Sequence, residues 1–216
     1  MKTLVGALVF FSFILFSSVK SNPGRTLKSR NGPEKKIITV AYLLDENDFD
    51  SKDANMGSDV EKWLQKVNKK AQEELKKAVG VSIELEITAI NGTSEELSRR
   101  LKAWDNRGHV YGGWILGFVK AEFMNRTAKP NIACVLTKHT IYNDFESGML
   151  AYSVHQSLCV SMVPMLLTYK AEEADESGKR LSELIQNGTR TDLKTALNGC
   201  NKGRRSPRKR PLHHSQ

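Results

Sequence analysis

The sequence predicts one α/β domain with a mixed central sheet and flanking helices. Three observations carry this. Residues 37–44 form an apolar run, interrupted only by Thr39, that reads as a buried strand. A long amphipathic helix follows from Ser58, and residues 81–88 then alternate polar and apolar as a half-exposed strand does. Further apolar runs recur between capped helices toward the C-terminus, so strands and helices alternate along the chain.

The chain of 216 residues opens with a targeting signature. Lys2 is followed by a short apolar run at 4–16, and Val19 and Ser21 suit the small-residue rule for cleavage. Residues 1–21 therefore read as a signal peptide, with Asn22 the first mature residue. The run is shorter than the roughly 20 apolar residues of a membrane span, and no other segment qualifies. A secreted protein with no membrane span after processing is expected. Residues 22–36 are rich in Pro, Gly and charge and read as a flexible lead.

Formal charge is +9. Loss of Lys2 and Lys20 leaves +7, and residues 201–216 hold Lys202, Arg204, Arg205, Arg208, Lys209 and Arg210 with no acid. Residues 22–200 thus carry about +1. The basic character belongs to the tail, so a nucleic-acid-binding surface on the fold is not expected. The tail reads as disordered, and His213 and His214 belong to it. Such a tail can hold sulfated glycosaminoglycans by charge, and it also resembles a weak basic processing site around 205–208.

Within the domain at 37–200 the elements follow in order. Asp45, Glu46, Asn47 and Asp48 end the first strand as turn formers. Their spacing fits no EF-hand loop, so they read as a solvated loop. Ser58 and Glu61 form a capping box. Val60, Trp63, Leu64, Val67, Ala71, Leu75 and Ala78 recur at helical spacing up to Gly80, with lysines and acids on the other face. Thr93 and Glu96 read as the cap of a second helix carrying Leu97, Leu101 and Trp104, broken at 105–108. Residues 112–119 read as a strand or hairpin arm bent at its glycines. Residues 131–137 look like a buried strand, and 149–152 and 158–163 like two more. Pro164 cannot donate a ladder hydrogen bond, so it ends a strand or marks an edge. Met149, Met162 and Met165 read as core filler. A third helix runs through 179–186, and a short last one covers 191–197.

Three cysteines remain in the mature chain, and an odd number in an oxidising compartment predicts one bridge and one spare thiol. Cys134 lies in the apolar run and reads as a packed thiol. Pairing Cys159 with Cys200 would tie the chain end to the sheet. Asn91, Asn125 and Asn187 are N-glycosylation acceptors, each expected on a surface loop or helix end.

Several stretches, taken in order, resemble a known family. They are Ile38–Asp45, Lys62–Asn68, 81–90, Leu97–Trp104, Cys134–Tyr142 and Gly148–Tyr152 followed by Cys159. Together they are similar to the tick salivary 28 kDa Metastriate proteins. Those in turn resemble reprolysin-like secreted metalloproteases of the metzincin group. The resemblance implies a metzincin-like N-terminal subdomain in which residues 148–152 form the cleft edge before a zinc helix at 180–188. It also implies tick saliva and action on host haemostasis or immunity.

The zinc helix of such enzymes carries His-Glu-x-x-His, because residues four apart share a face and grip one metal. Here Glu183 stands in the central place, but Ser182 and Gln186 stand where the histidines would be. Hydroxyl and amide are poor zinc ligands beside imidazole. No two of His109, His139, His155, His213 and His214 are four apart, and no methionine follows Met165. The only rebuilt metal site the histidines offer is His139 with His155 across neighbouring strands. No Gly-x-Ser-x-Gly occurs for a serine hydrolase. The expectation is a non-catalytic protease relative, with no cofactor, that binds a host protein or surface. The competing readings are an active zinc peptidase with an atypical site and a glycosaminoglycan binder acting through its tail. An eight-stranded lipocalin barrel has no room for three capped helices between strands.

Overall fold

The computed structural model describes residues 35–124 and 126–200. Its centre is a five-stranded sheet in the order β2-β1-β4-β7-β6. β1 (Lys36–Leu44), β2 (Ile83–Gly92), β4 (Ile132–Thr137) and β7 (Val163–Thr168) are mutually parallel. β6 (Ala151–Tyr152) pairs antiparallel at one edge. A separate two-stranded parallel ladder joins β3 (His109–Tyr111) to β5 (Thr140–Tyr142).

Helices cover both faces of the main sheet. Successive strand residues point to opposite faces, and β1 shows the consequence. Ile38, Val40, Tyr42 and Leu44 join α1 (Asp59–Val79), α4 (Ala174–Asn187) and α5 (Leu193–Cys200) in one core. Ala41 and Leu43 join α2 (Glu95–Ala103) and α3 (Gly112–Met124) in a second core on the other side. A strand buried on both faces needs a near-continuous apolar run, which is why β1, β4 and β7 read as they do. β2 lies at the outer edge and alternates instead.

α1 begins where its cap predicts. Ser58 Oγ accepts from the Glu61 amide at 3.0 Å, while the Glu61 carboxylate accepts from the Gly57 amide. It ends at Gly80, whose φ of +71° suits glycine at a helix C-terminus. α1 then lies close against α4. A Cβ on Gly178 would stand 2.6 Å from Lys70 Cβ and 2.8 Å from the Val67 carbonyl, so only glycine permits this approach.

Several expectations change. Residues 112–119 are the first part of helix α3 rather than a strand or hairpin arm. Ile115, Leu116, Val119 and Phe123 are buried at i, i+1, i+4 and i+8, a helical stripe. Residues 158–162 form a turn, and the strand expected there begins only at Val163. Pro164 therefore lies inside β7 without marking an edge strand. The Val163 amide donates to Asn131 on the β4 side. The Pro164 nitrogen then faces the β6 side, beyond the two residues of β6 that pair with β7. The cap of α2 is Ser94, one residue later than expected, and its Oγ accepts from the Leu97 amide. Thr93 is buried and shares a hydrogen bond with Ser98 Oγ at 2.8 Å.

A disulfide joins Cys159 to Cys200, and Cys134 is a buried free thiol whose pKa burial pushes up. Met162 and Met165 are buried and Met149 is packed against the α2–α3 core. Asn91 and Asn187 are exposed, whereas Asn125 lies outside the described residues. So do the signal segment, most of the expected flexible lead and the basic tail with Lys202, Arg204, Arg205, Arg208, Lys209 and Arg210.

Candidate functional site

β7 leads through residues 169–173 into α4, so the sheet edge and this helix meet at one groove. The groove has a volume of about 400 Å³. Gly148, Met149, Leu150 and Ala151, which run into β6, form one wall, and Arg180, Glu183 and Leu184 of α4 form the other. Gly148 turns the chain into this wall at φ +77°. The wall is pinned on two sides. Met149 exchanges backbone hydrogen bonds with Ile141, and Thr168 donates to the Leu150 carbonyl.

The three positions that resemble a zinc helix are placed differently on α4. Ser182 lies on the buried face and its Oγ donates to the Lys179 carbonyl at 2.8 Å. Gln186 Nε2 donates to the Ser182 carbonyl at 3.3 Å. Glu183 alone faces the groove, where its carboxylate pairs with Arg180 at 3.1 Å. Arg180 also pairs with Glu176 at 3.0 Å, and the Glu183 hydrogen bond raises its pKa. A metal gripped by positions 182 and 186 would need both side chains on the groove face. Ser182 is instead 2% exposed on the buried face, neither residue lines the groove, and hydroxyl and amide oxygens are weak zinc ligands, so these residues do not fit a zinc ion. Among the described residues, no group of three or more His, Cys, Asp or Glu is placed to hold one.

The histidines go to separate places. His139 follows β4, with Nε2 3.4 Å from Asp48 and Nδ1 3.2 Å from Asp105. His109 Nδ1 meets Thr140 Oγ1 at 2.6 Å. His155 lines another cavity beside Lys120, and burial with the Lys120 charge lowers its pKa. His139 and His155 share no partner, so the rebuilt metal site they offered is not assembled.

The acidic turn after β1 is solvated only at its tip, where Glu46 and Asn47 are exposed; Asp45 and Asp48 turn inward. Asp45 is 2% exposed, and its Oδ1 accepts from the Asn47 amide and side chain at 3.0 and 2.7 Å. Asp48 Oδ2 accepts from Thr137 Oγ1 and the Lys138 amide at 2.9 and 2.6 Å. The turn clasps the end of β1 to the end of β4, and His139 extends the clasp to Asp105. The partners are far apart in sequence, so no local pattern could have shown it.

A row of aromatic rings was also missed. Trp104 stacks on Trp114 at 5.8 Å, and Tyr111 touches both Trp104 and Tyr142. Tyr111 donates to Asp144 at 3.0 Å, a hydrogen bond that raises its pKa. Trp114 is more than half exposed. The sequence signal is the cluster of aromatics at 104, 111 and 114.

No protein-family model matches the chain, and no curated protein matches it. Among solved structures it is similar to metalloproteinase-II from Bacteroides fragilis, with a TM-score of 0.44 and 11% identity over 69% of this chain. It spans 42% of that protein's length. It is also similar to archaemetzincin from Archaeoglobus fulgidus, solved with malonate, with a TM-score of 0.34 and 13% identity. That match covers 70% of this chain and 75% of the other. The fold class rests on this chain's own sheet: a mostly parallel five-stranded sheet, an antiparallel edge strand, and helices on both faces.

Proposed function

We propose that this chain is a secreted, non-catalytic relative of metalloproteases that binds a host protein or surface in the groove between β6 and α4. One observation carries the reading. The antiparallel edge strand and the helix after β7 stand where the resemblance implies a cleft, yet Ser182 and Gln186 are tied into the helix backbone. Such a groove suits an extended segment laid along the sheet edge, with Leu184 and Met149 as apolar contacts and the Arg180–Glu183 pair as a polar one. The Cys159–Cys200 bridge supports an oxidising compartment. Among the described residues no helix is long and apolar enough to cross a membrane.

The test is metal content by mass spectrometry on tag-free protein purified from secretion medium without chelator. Less than a tenth of an equivalent of zinc is expected, together with no chelator-sensitive peptidase activity. One tightly held zinc per chain would overturn the reading in favour of an active peptidase with an atypical site. For the groove itself, Glu183→Lys, at an exposed residue, is expected to abolish partner capture from host plasma while leaving the fold intact. Capture that survives this change and disappears on deleting residues 202–210 would favour the glycosaminoglycan reading of the tail.

A further inference from the structure

A second cavity, of about 470 Å³, lies away from the groove between the 153–162 connection and the chain beyond α4. Lys120, His155 and Arg190 line it, with the hydroxyls of Ser157, Ser161, Thr189 and Thr191. No carboxylate lines it. Asp192 is the acid nearest in sequence, but its Oδ1 accepts from the Thr195 amide at 3.0 Å and caps α5. Among the described residues neither Lys120 nor Arg190 forms an ion pair.

The walls are held firmly. Ser157 and Thr189 form an antiparallel bridge, and the Leu158 amide donates to the Gly188 carbonyl at 2.9 Å. The Val160 and Ser161 amides both donate to the Ser157 carbonyl, closing one tight turn. Within that turn Ser161 Oγ donates to Ser157 Oγ at 2.8 Å. Cys159 holds a positive φ of 65° at its centre and is bonded to Cys200. The hydroxyls are therefore presented by a turn that the disulfide and the backbone bridge to Thr189 hold in shape.

We propose that this cavity binds a tetrahedral oxyanion, the sulfate or phosphate group of a ligand, between Lys120, His155 and Arg190, with the Ser157 hydroxyl, whose own hydrogen is uncommitted, as a further donor. The chemistry follows from the lining. Two side chains of like charge face one cavity with no counter-charge in its wall, and burial, with the Lys120 charge second, destabilises the protonated imidazole of His155 beside them. An anion would relieve both effects at once. Flexible ammonium, forked guanidinium and hydroxyl donors are the groups that share out the oxygens of such an anion. A carboxylate in the wall would have opposed it. The proposal is independent of the groove between β6 and α4, since the two cavities have no lining residue in common.

The test follows the His155 ring protons by NMR in the full chain. The protein is made in an oxidising bacterial compartment, so that no glycan at Asn187 crowds the cavity. Sodium sulfate and sodium phosphate are titrated separately, with sodium chloride at equal ionic strength as the control. A saturable shift with sulfate or phosphate and none with chloride is expected, with the His155 pKa rising as the anion binds. The double variant K120Q/R190Q, altered only at exposed residues, is expected to weaken binding about tenfold or more. Because the basic tail can also attract anions, only the His155 signal counts. No saturable shift, an equal shift with chloride, or equal binding by K120Q/R190Q would overturn the proposal. A stronger response to sulfate points to a sulfate ester as the natural source, and a stronger response to phosphate to a phosphate ester.

Discussion

Asn68 and Ser177 sit in the layer between α1 and α4, and each leaves a buried polar atom without a partner, Nδ2 and Oγ respectively. Asn68 still has a task, because its Oδ1 accepts from the buried Tyr42 hydroxyl at 2.5 Å. Ser177 has no such bond. Leaving a buried hydroxyl unpaired costs about 1–3 kcal/mol. Ser177→Ala is therefore expected to raise stability by about 1 kcal/mol in urea unfolding. A loss of that size would show that the hydroxyl has a bound water. Asn68→Ala should cost about 1–3 kcal/mol, since it strands the Tyr42 hydroxyl. Asp45 gives a pH signature. Burial raises its pKa, so the folded chain keeps this proton where the unfolded chain has already released it. Stability falls as pH rises through that window. Asp45→Asn keeps one acceptor for Asn47 and is expected to be more stable than the parent at neutral pH. The gain should shrink on acidification, as pH falls through the raised Asp45 range, which thermal unfolding at several pH values would show.

Packing between elements decides which local signals survive. α1 was legible because its cap, its apolar stripe and its terminal glycine all agree. Ser58→Ala should cost about 1 kcal/mol by chemical denaturation, the ordinary value of a helix cap. The contact of α1 with α4 was not legible, because nothing local says that Gly178 meets Lys70 and Val67. Gly178→Ala is expected to cost about 1–3 kcal/mol, as overpacking does, although alanine favours a helix. A stabilised Gly178→Ala variant would mean that the two helices separate freely. α3 was misread for a related reason. Its paired glycines and the apolar Trp114 and Met124 on its exposed side blur the helical stripe, and periodicity alone does not separate so apolar a run from a strand. Its length of 13 residues was the better guide.

Across the whole molecule, the Cys159–Cys200 bridge closes a separation of 41 residues and ties α5 to the turn before β7. On a chain-entropy estimate a bridge of this span stabilises by about 4 kcal/mol. The double variant Cys159→Ser and Cys200→Ser is expected to lose that much in denaturant unfolding and to relax the wall of the second cavity. Unchanged stability would place the bridge in a region that is already ordered without it. The same bridge holds the turn that presents Ser157 and Ser161, so its reduction is also expected to weaken anion binding at His155.

The sequence by itself determined the alternation of strands and helices, the capped α1, the buried runs of β1 and β4, and the chemistry available at 182, 183 and 186. These are local properties, written in spacing and residue type. Only the tertiary structure decided which way those side chains point. Ser182 turns inward and Glu183 toward the groove because residues next to each other on a helix stand about 100° apart, and the sheet takes one of those faces. Tertiary structure also gathered Lys120, His155 and Arg190, and set His139 between Asp48 and Asp105. Those groups come from distant segments, and only the packing of strands and helices into one sheet brings them within reach of each other.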